Sequence, residues 1–259
     1  MEVLQMFRHK AEKRIVELSL DEVRLMREAL LTFRNKLLSA GKPTEDVNEL
    51  IIKVMKRGEQ LANFYISDLH IGHENILRFD NRPFADVNEM NNKLIENWNA
   101  RVHSDDTVYI LGDFIWTKES EWPFIVGLLG GNKVLIRGNH DPKQFSAATK
   151  RMFQEITNLK EIKDSGKHVV MCHYPIPFFR ASFASTAFML YGHVHQTIEY
   201  EYIAKLRREV KANSTGYGTP NGNFINVGCM MPYMDYTPRT LDEIIEGDAR
   251  YHEENPDAL

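Results

Sequence analysis

The chain has 259 residues, 43% of them hydrophobic and 26% charged, with a net charge of -4. That balance suits one substantial core plus a smaller appendage, and it supplies no overall positive field to draw the protein to nucleic acid or membrane. Cys172 and Cys229 are too few for a disulfide framework and fit a reducing, cytoplasmic setting, while no apolar run is long enough for a signal peptide core or a bilayer span.

Residues 1–61 read as a helical extension. A stripe of limited regularity suggests a helix over 2–17. Val23, Met26, Leu30, Phe33 and Leu37 then recur every three or four residues, which marks one apolar face, and Ser19 with Glu22 makes a capping box at its start. Gly41 and Pro43 stop that helix, and Thr44 can cap a second one carrying Val47, Leu50, Ile51, Val54 and Met55. Such a hairpin is an extra layer on the main domain or an arm for a homodimer or another partner. Nothing in it suggests chemistry.

From Ala62 the texture changes, and residues 62–247 read as the main domain. Asn63–Ser67 is a β-prone run that delivers Asp68 and His70 onto a loop, and Gly72–Pro83 continues as a polar loop over the strand ends. A helix is expected over roughly Asp86–Val102, with Met90, Leu94, Ile95 and Trp98 on one face. Thr107–Leu111 is the next strand, ending in Gly112-Asp113. A helix over about Glu119–Leu129 leads through Gly130-Gly131-Asn132 into a strand that stops at Gly138, Asn139, His140, Asp141 and Pro142. Residues 142–153 are expected to be helical. His168–Cys172 is a strand ending at His173, and Ala187–Leu190 leads into Gly192-His193-Val194-His195.

The segment Thr197–Gly222 is ambiguous. Alternating Ile198, Tyr200 and Tyr202 argue for a strand, and Lys205, Arg207, Arg208 and Lys211 argue for a basic insertion before a turn-rich loop. Phe224–Val227 reads as a last core strand, Thr240 starts a closing helix, and residues 248–259 read as a frayed polar tail.

Five short polar clusters therefore terminate apolar runs: Asp68-Leu69-His70, Gly112-Asp113, Gly138-Asn139-His140-Asp141, His173, and Gly192-His193-Val194-His195. Strands alternating with helices share one carboxyl rim, where such loops converge. Aspartate, histidine and asparagine without a thiolate suit Mn²⁺, Fe or Zn²⁺ rather than an iron–sulfur or zinc–thiolate site.

In order and without a gap, these clusters resemble the pattern D-x-H, G-D, G-N-H-[D/E], H, G-H-x-H of the calcineurin-like metallophosphoesterase superfamily, over roughly residues 62–245. The resemblance implies an α/β fold of two mixed β-sheets packed as a sandwich and flanked by helices, with the N-terminal helices appended. It implies two divalent metal ions, Mn²⁺ foremost and Fe, Zn²⁺, Ni²⁺ or Co²⁺ equally compatible with the donors. Asp113 would bridge them, with Asp68, His70 and His195 on one ion and Asn139, His173 and His193 on the other. Hydroxide held on the ions would attack phosphorus, His140 would assist the leaving oxygen, and Asp141 would orient the His140 imidazole. Among the loop residues that could contact substrate phosphate, His73 and Arg78 stand ahead of Asn75 and Arg82, and Arg137 is as readily a structural ion pair.

The implied activity is phosphoester hydrolysis, with a phosphodiester favoured. A phosphomonoesterase or protein phosphatase would use the same ligands. A nuclease would need a basic, aromatic-studded groove, for which the Lys205–Lys211 run is thin support and the net charge a counter-argument. A metal-poor protein-binding scaffold on the same fold would be expected to have lost ligands, and none is lost here.

Overall fold

The computed structural model describes residues 20–58, 62–216 and 218–255. The chain divides into two compact units, Met1–Leu61 and Ala62–Leu259. The helix expected over 2–17 lies outside the described residues.

In the first unit, α1 (Leu20–Ser39) and α2 (Glu45–Gly58) pack as a hairpin. Gly41 closes α1 at φ 63°, a conformation that costs glycine nothing, and the Lys42 amide reaches back to the Leu37 carbonyl at 3.0 Å. Glu45 and Asp46 occupy the first turn of α2, where the helix dipole favours negative charge.

The second unit runs β1 (Asn63–Ile66), α3 (Ile76–Phe79), α4 (Val87–Arg101), β2 (Thr107–Ile110), α5 (Trp122–Gly127), β3 (Asn132–Ile136), α6 (Ala147–Lys150) and β4 (Glu155–Thr157). It continues through β5 (Leu159–Asp164), β6 (Lys167–Cys172), β7 (Ala187–Tyr191), α7 (Ile198–Ala212), β8 (Phe224–Asn226), β9 (Arg239–Thr240) and α8 (Leu241–Glu254). One sheet has the order β4-β3-β2-β1-β9, parallel except for β9, and the other has the order β5-β6-β7-β8, parallel except for β5. These are the two mixed sheets the resemblance implies. Ile66, Ile110 and Leu135 from the first sheet and Met171, Leu190 and Phe224 from the second belong to one hydrophobic core.

Parallel strands covered on both faces read as unbroken apolar runs, and β7 is buried at every position. The sheets are stitched together where β1 and β8 end. The Ser67 amide donates to Val227 at 2.9 Å, and the Cys229 amide donates to Ser67 at 2.9 Å. The carboxyl ends of the parallel strands thereby meet along one rim.

Helix α4 forms as its stripe requires, with Met90, Leu94 and Trp98 buried and Asp86 capping the Asn88 and Glu89 amides. Four expectations need correction. First, Ile198, Tyr200 and Tyr202 do not alternate across a strand; they open α7, capped by Thr197. The buried set is Tyr200, Ala204 and Arg207, spaced at helical intervals, whereas Ile198 and Tyr202 are exposed. Second, the basic run is not a single charged surface, because Arg207 is buried and pairs with Asp248. Third, the helix expected over 142–153 is only the single turn α6, since the Ser146 cap begins it five residues later. Residues 155–164 form two short edge strands too polar to read as such. Fourth, the polar tail expected from residue 248 is the second half of α8. Its capping box (Thr240 with Glu243) and the buried Asp248 hold the helix through Glu254. The polar loop 72–83 also contains the short α3.

Candidate metal centre

Each cluster leaves its strand through a tight reversal. Ten non-glycine residues among those described have positive φ, and five of them are Asp68 (56°), His70 (50°), Asp113 (49°), His193 (72°) and His195 (46°). Left-handed backbone at β-carbon-bearing residues costs free energy and persists where surrounding structure holds it, often at functional sites. Glycine provides the remaining room. A Cβ on Gly112, whose φ is 86°, would come within 2.6 Å of both the Gly138 backbone and His173 Nδ1. A Cβ on Gly192 would overlap the Ser67 hydroxyl and the Asp68 carboxylate.

The loops bring Asp68, His70, Asp113 and His195 together with one ligand atom of each within 4.8 Å of the others. His70 Nε2 is 3.4 Å from His195 Nε2 and 3.7 Å from an Asp113 carboxylate oxygen. His195 Nε2 lies 3.7 Å from Asp68. His173 Nε2 lies 3.6 Å from the same Asp113 oxygen and 2.9 Å from Asn139 Oδ1. The His193 ring packs edge-on against His173 at 5.0 Å, and its backbone amide donates to the Asp68 carboxylate at 3.0 Å. His193 Nε2 is 3.7 Å from Glu199.

The donor set fits a cation. His173 Nδ1 is 2.7 Å from the Leu111 carbonyl, so in the neutral, ligating ring that nitrogen carries the hydrogen and Nε2 presents a lone pair beside Asn139 Oδ1 and Asp113. His195 Nδ1 is 2.7 Å from an Asp80 oxygen, which leaves its Nε2 toward Asp68 and His70. Acceptors converging on acceptors repel unless positive charge lies between them. Burial pushes the His70 imidazole well below its usual range, with Arg82 adding to the effect, and burial followed by His173 lowers His193. Neutral rings are the ligating form. Burial also raises the Asp113 carboxyl against the pull of His173. The cluster of aspartates and histidines fits divalent metal ions.

Two carboxylates brace the centre. Asp80, absent from the sequence-based set, sits between His195 and the buried Arg82, which donates to it through Nε at 3.1 Å and Nη2 at 2.9 Å. Arg82 also donates to the Asp68 carbonyl at 2.7 Å and the Leu69 carbonyl at 2.9 Å, so it fixes the first ligand loop and is not free for phosphate. Asp141 accepts from the backbone amides of Gly138 (2.8 Å), Phe114 (3.0 Å) and Asp113 (3.2 Å). Its carboxylate joins the loops after β2 and β3. Burial raises its pKa, and the Gly138 and Phe114 amides oppose that.

The His140 amide donates to Asp113 at 2.9 Å, and its ring lies 6.0 Å from that of His70 and 4.7 Å from the indole of Trp116. His73 stacks on the other ring partner of this group, with its centroid 4.0 Å from Trp116 at 11° between planes. His70, His73, Asn75, Phe79, Trp116 and His140 are among the residues around a cleft of about 470 Å³. Arg78 is exposed, does not line that cleft, and holds its guanidinium 5.2 Å over the Phe79 ring. Arg137 donates to Asn158 at 3.0 Å and to the Lys143 carbonyl at 3.2 Å. Trp116 had a signal in the sequence, a large aromatic four residues into the loop opened by Gly112-Asp113. Asp80 had only its proximity to Arg82.

A family model described as calcineurin-like phosphoesterase matches residues 64–216. The uncharacterized protein MJ1445 of Methanocaldococcus jannaschii is 34% identical over 154 residues, covering 58% of this chain and 80% of that protein. The Gene 66 protein of Mycobacterium phage L5 is 31% identical over 130 residues, covering 43% of this chain and 62% of that protein. Among solved structures, the protein of unknown function AQ665 from Aquifex aeolicus aligns with a TM-score of 0.50 at 26% identity, over 71% of this chain and 98% of its own. No helix among the described residues is long and apolar enough to cross a membrane. Every residue of the Asp, His and Asn constellation falls inside the matched segment, and the chain belongs to the calcineurin-like phosphoesterase family.

Proposed function

We propose that this protein is a metal-dependent phosphodiesterase. Asp68, His70 and His195 would hold one divalent ion, Asn139, His173 and His193 a second, and Asp113 would serve both. The observation that carries this reading is the position of Asp113, one of whose oxygens lies 3.7 Å from His70 and 3.6 Å from His173. When bound, such ions neutralise phosphoryl oxygens and make hydroxide available near neutral pH.

The chain's own groups do the rest. Asp113 fixes the His140 backbone through its amide, which holds the imidazole beside the reacting phosphate to give a proton to the departing oxygen. Asn139 adds a neutral oxygen donor, so the site keeps more net positive charge than a third carboxylate would leave. The cleft beside His140 supports a diester over a monoester, because none of its described lining residues is lysine or arginine. A dianionic monoester asks for such cations more strongly than a monoanionic diester does.

The test uses chelator-stripped protein with Mn²⁺ restored, comparing bis-p-nitrophenyl phosphate with p-nitrophenyl phosphate and Asp113→Ala as the blank. Metal-dependent turnover favouring the diester is expected. Preference for the monoester would make the protein a phosphomonoesterase, and absence of bound metal would refute the catalytic reading.

A further inference from the structure

The cleft beside the candidate centre joins two kinds of side chain. The imidazoles of His70, His140 and His195 share its lining with the rings of Phe79, Trp116 and His73, the buried Ile76, and the polar Asn75 and Thr197. Trp116 is not part of the hydrophobic core and is 40% exposed, whereas Trp98 and Trp122 are fully buried within it. Phe79 is 64% exposed. Exposed aromatic area concentrated beside a polar centre is a mark of ligand recognition.

Trp116 and His73 are tied to the ligand loops. The Trp116 amide donates to the Ile71 carbonyl at 2.8 Å, and the His73 amide to the His70 carbonyl at 3.0 Å, so both rings ride on the loops that carry the candidate ligands. His73 covers one side of the indole in a parallel stack, and His140 lies against it at a 58° tilt. A preformed platform of this kind loses little rotamer freedom when a flat group settles on it.

The geometry points to a subsite for a planar aromatic ester group, of which a nucleobase is the chemical type. The phosphate would lie toward His70 and His140 and the ring against Trp116 and Phe79, with Asn75 and Thr197 offering polar contacts at the ring's edge. This rests on the phosphoesterase reading for the phosphate end only. Ring stacking is sequence- and substituent-tolerant, so the subsite selects for an aromatic group as a class.

The test titrates Zn²⁺-loaded protein with adenosine 5′-monophosphate and with ribose 5-phosphate, which carry the same phosphate on the same primary alcohol and differ by the base. The change in tryptophan fluorescence follows Trp116, because the fully buried Trp98 and Trp122 give a background that the ligand does not touch. Tighter binding of the base-bearing compound by about ten-fold is expected. Calorimetry on Trp116→Ala should show that advantage gone, with Trp116→Phe keeping part of it and guarding against a folding defect. Equal binding of the two compounds by the unaltered protein, or an advantage surviving in Trp116→Ala, would overturn the subsite. Binding needs no turnover, so the two failures separate. A protein that prefers the base-bearing compound but cleaves no phosphoester refutes the proposed function alone, and one that cleaves diesters without that preference refutes the subsite alone.

Discussion

His195 Nδ1 and an Asp80 carboxylate oxygen are 2.7 Å apart, and the same Asp80 holds the buried guanidinium of Arg82. Burial alone would lower the His195 pKa, but the hydrogen bond to Asp80 together with the negative charges of Asp68 and Asp80 outweighs it and raises the value. On the carboxylate, burial opposes ionisation, yet His195 and Arg82 together hold Asp80 below the usual range. The arrangement fixes which nitrogen of His195 faces Asp68, a device that orients histidine ligands in metal sites. Asp80→Asn should therefore weaken divalent metal binding by about 10–100-fold, and it should also lower stability, because the buried Arg82 guanidinium loses its counter-charge. Competition against a chromophoric chelator measures the binding, and unchanged affinity would mean that His195 is oriented by its own backbone.

Asp113 and His140 should separate metal binding from proton transfer. Asp113→Ala is expected to lose bound metal and all hydrolysis, because both halves of the constellation face that carboxylate. His140→Ala is expected to keep metal and to slow esters with poor leaving groups by roughly 10²–10⁴-fold, with activated nitrophenyl esters slowed less. Metal analysis alongside kinetics on the two ester types decides it. If His140→Ala also strips the metal, its imidazole belongs among the ligands.

The constellation was legible because metal-ligand types at strand ends are residues that packing does not explain. Asp68, His70, Asp113, Asn139, His173, His193 and His195 all follow apolar runs, and the fold brings those runs to one rim. Helix α7 was not legible from its first residues. Ile198, Tyr200 and Tyr202 imitate a strand period, and only Ala204 and Arg207, one and two turns beyond Tyr200, expose the helical one. Asp80 was hidden for another reason. Its role comes from His195, which is 115 residues away, and local sequence carries no trace of that pairing.

Arg207 and Asp248 give the closing helix a pH-dependent anchor. Both are buried, with Arg207 Nη1 2.7 Å from the Asp248 carboxylate. Burial opposes ionisation of Asp248, but the hydrogen bonds from Arg207 and His252, with the charges of both groups, together override it and hold the carboxyl at about 2. Its unfolded value lies near 3.9, so the stabilisation is complete above that pH and is lost as pH falls toward 2. The contribution is on the order of 2 kcal/mol. Asp248→Asn should flatten that part of the acid limb in denaturant titrations. It should also lower stability at neutral pH by about 3–5 kcal/mol, because a buried guanidinium loses its counter-charge. An unchanged acid limb would show that the pair does not control it.

Asp141 provides the sharpest discrimination between a bracing and a catalytic role. The resemblance implies that it orients the His140 imidazole, whereas its carboxylate accepts from the backbone amides of Asp113, Phe114 and Gly138. Those amides flank Asp113 and Asn139, so the carboxylate sets the spacing of the loops from which both project. Asp141→Asn keeps the size but replaces one acceptor oxygen with a donor NH₂, which confronts an amide hydrogen with another hydrogen. Leaving a buried donor unpaired costs about 1–3 kcal/mol. Asp141→Asn should therefore lower the melting temperature and the metal affinity together, with the activity loss recovered in part at saturating metal. A variant with full metal affinity and unchanged melting, but with a depressed kcat for poor leaving groups only, would instead place Asp141 in service of the His140 imidazole.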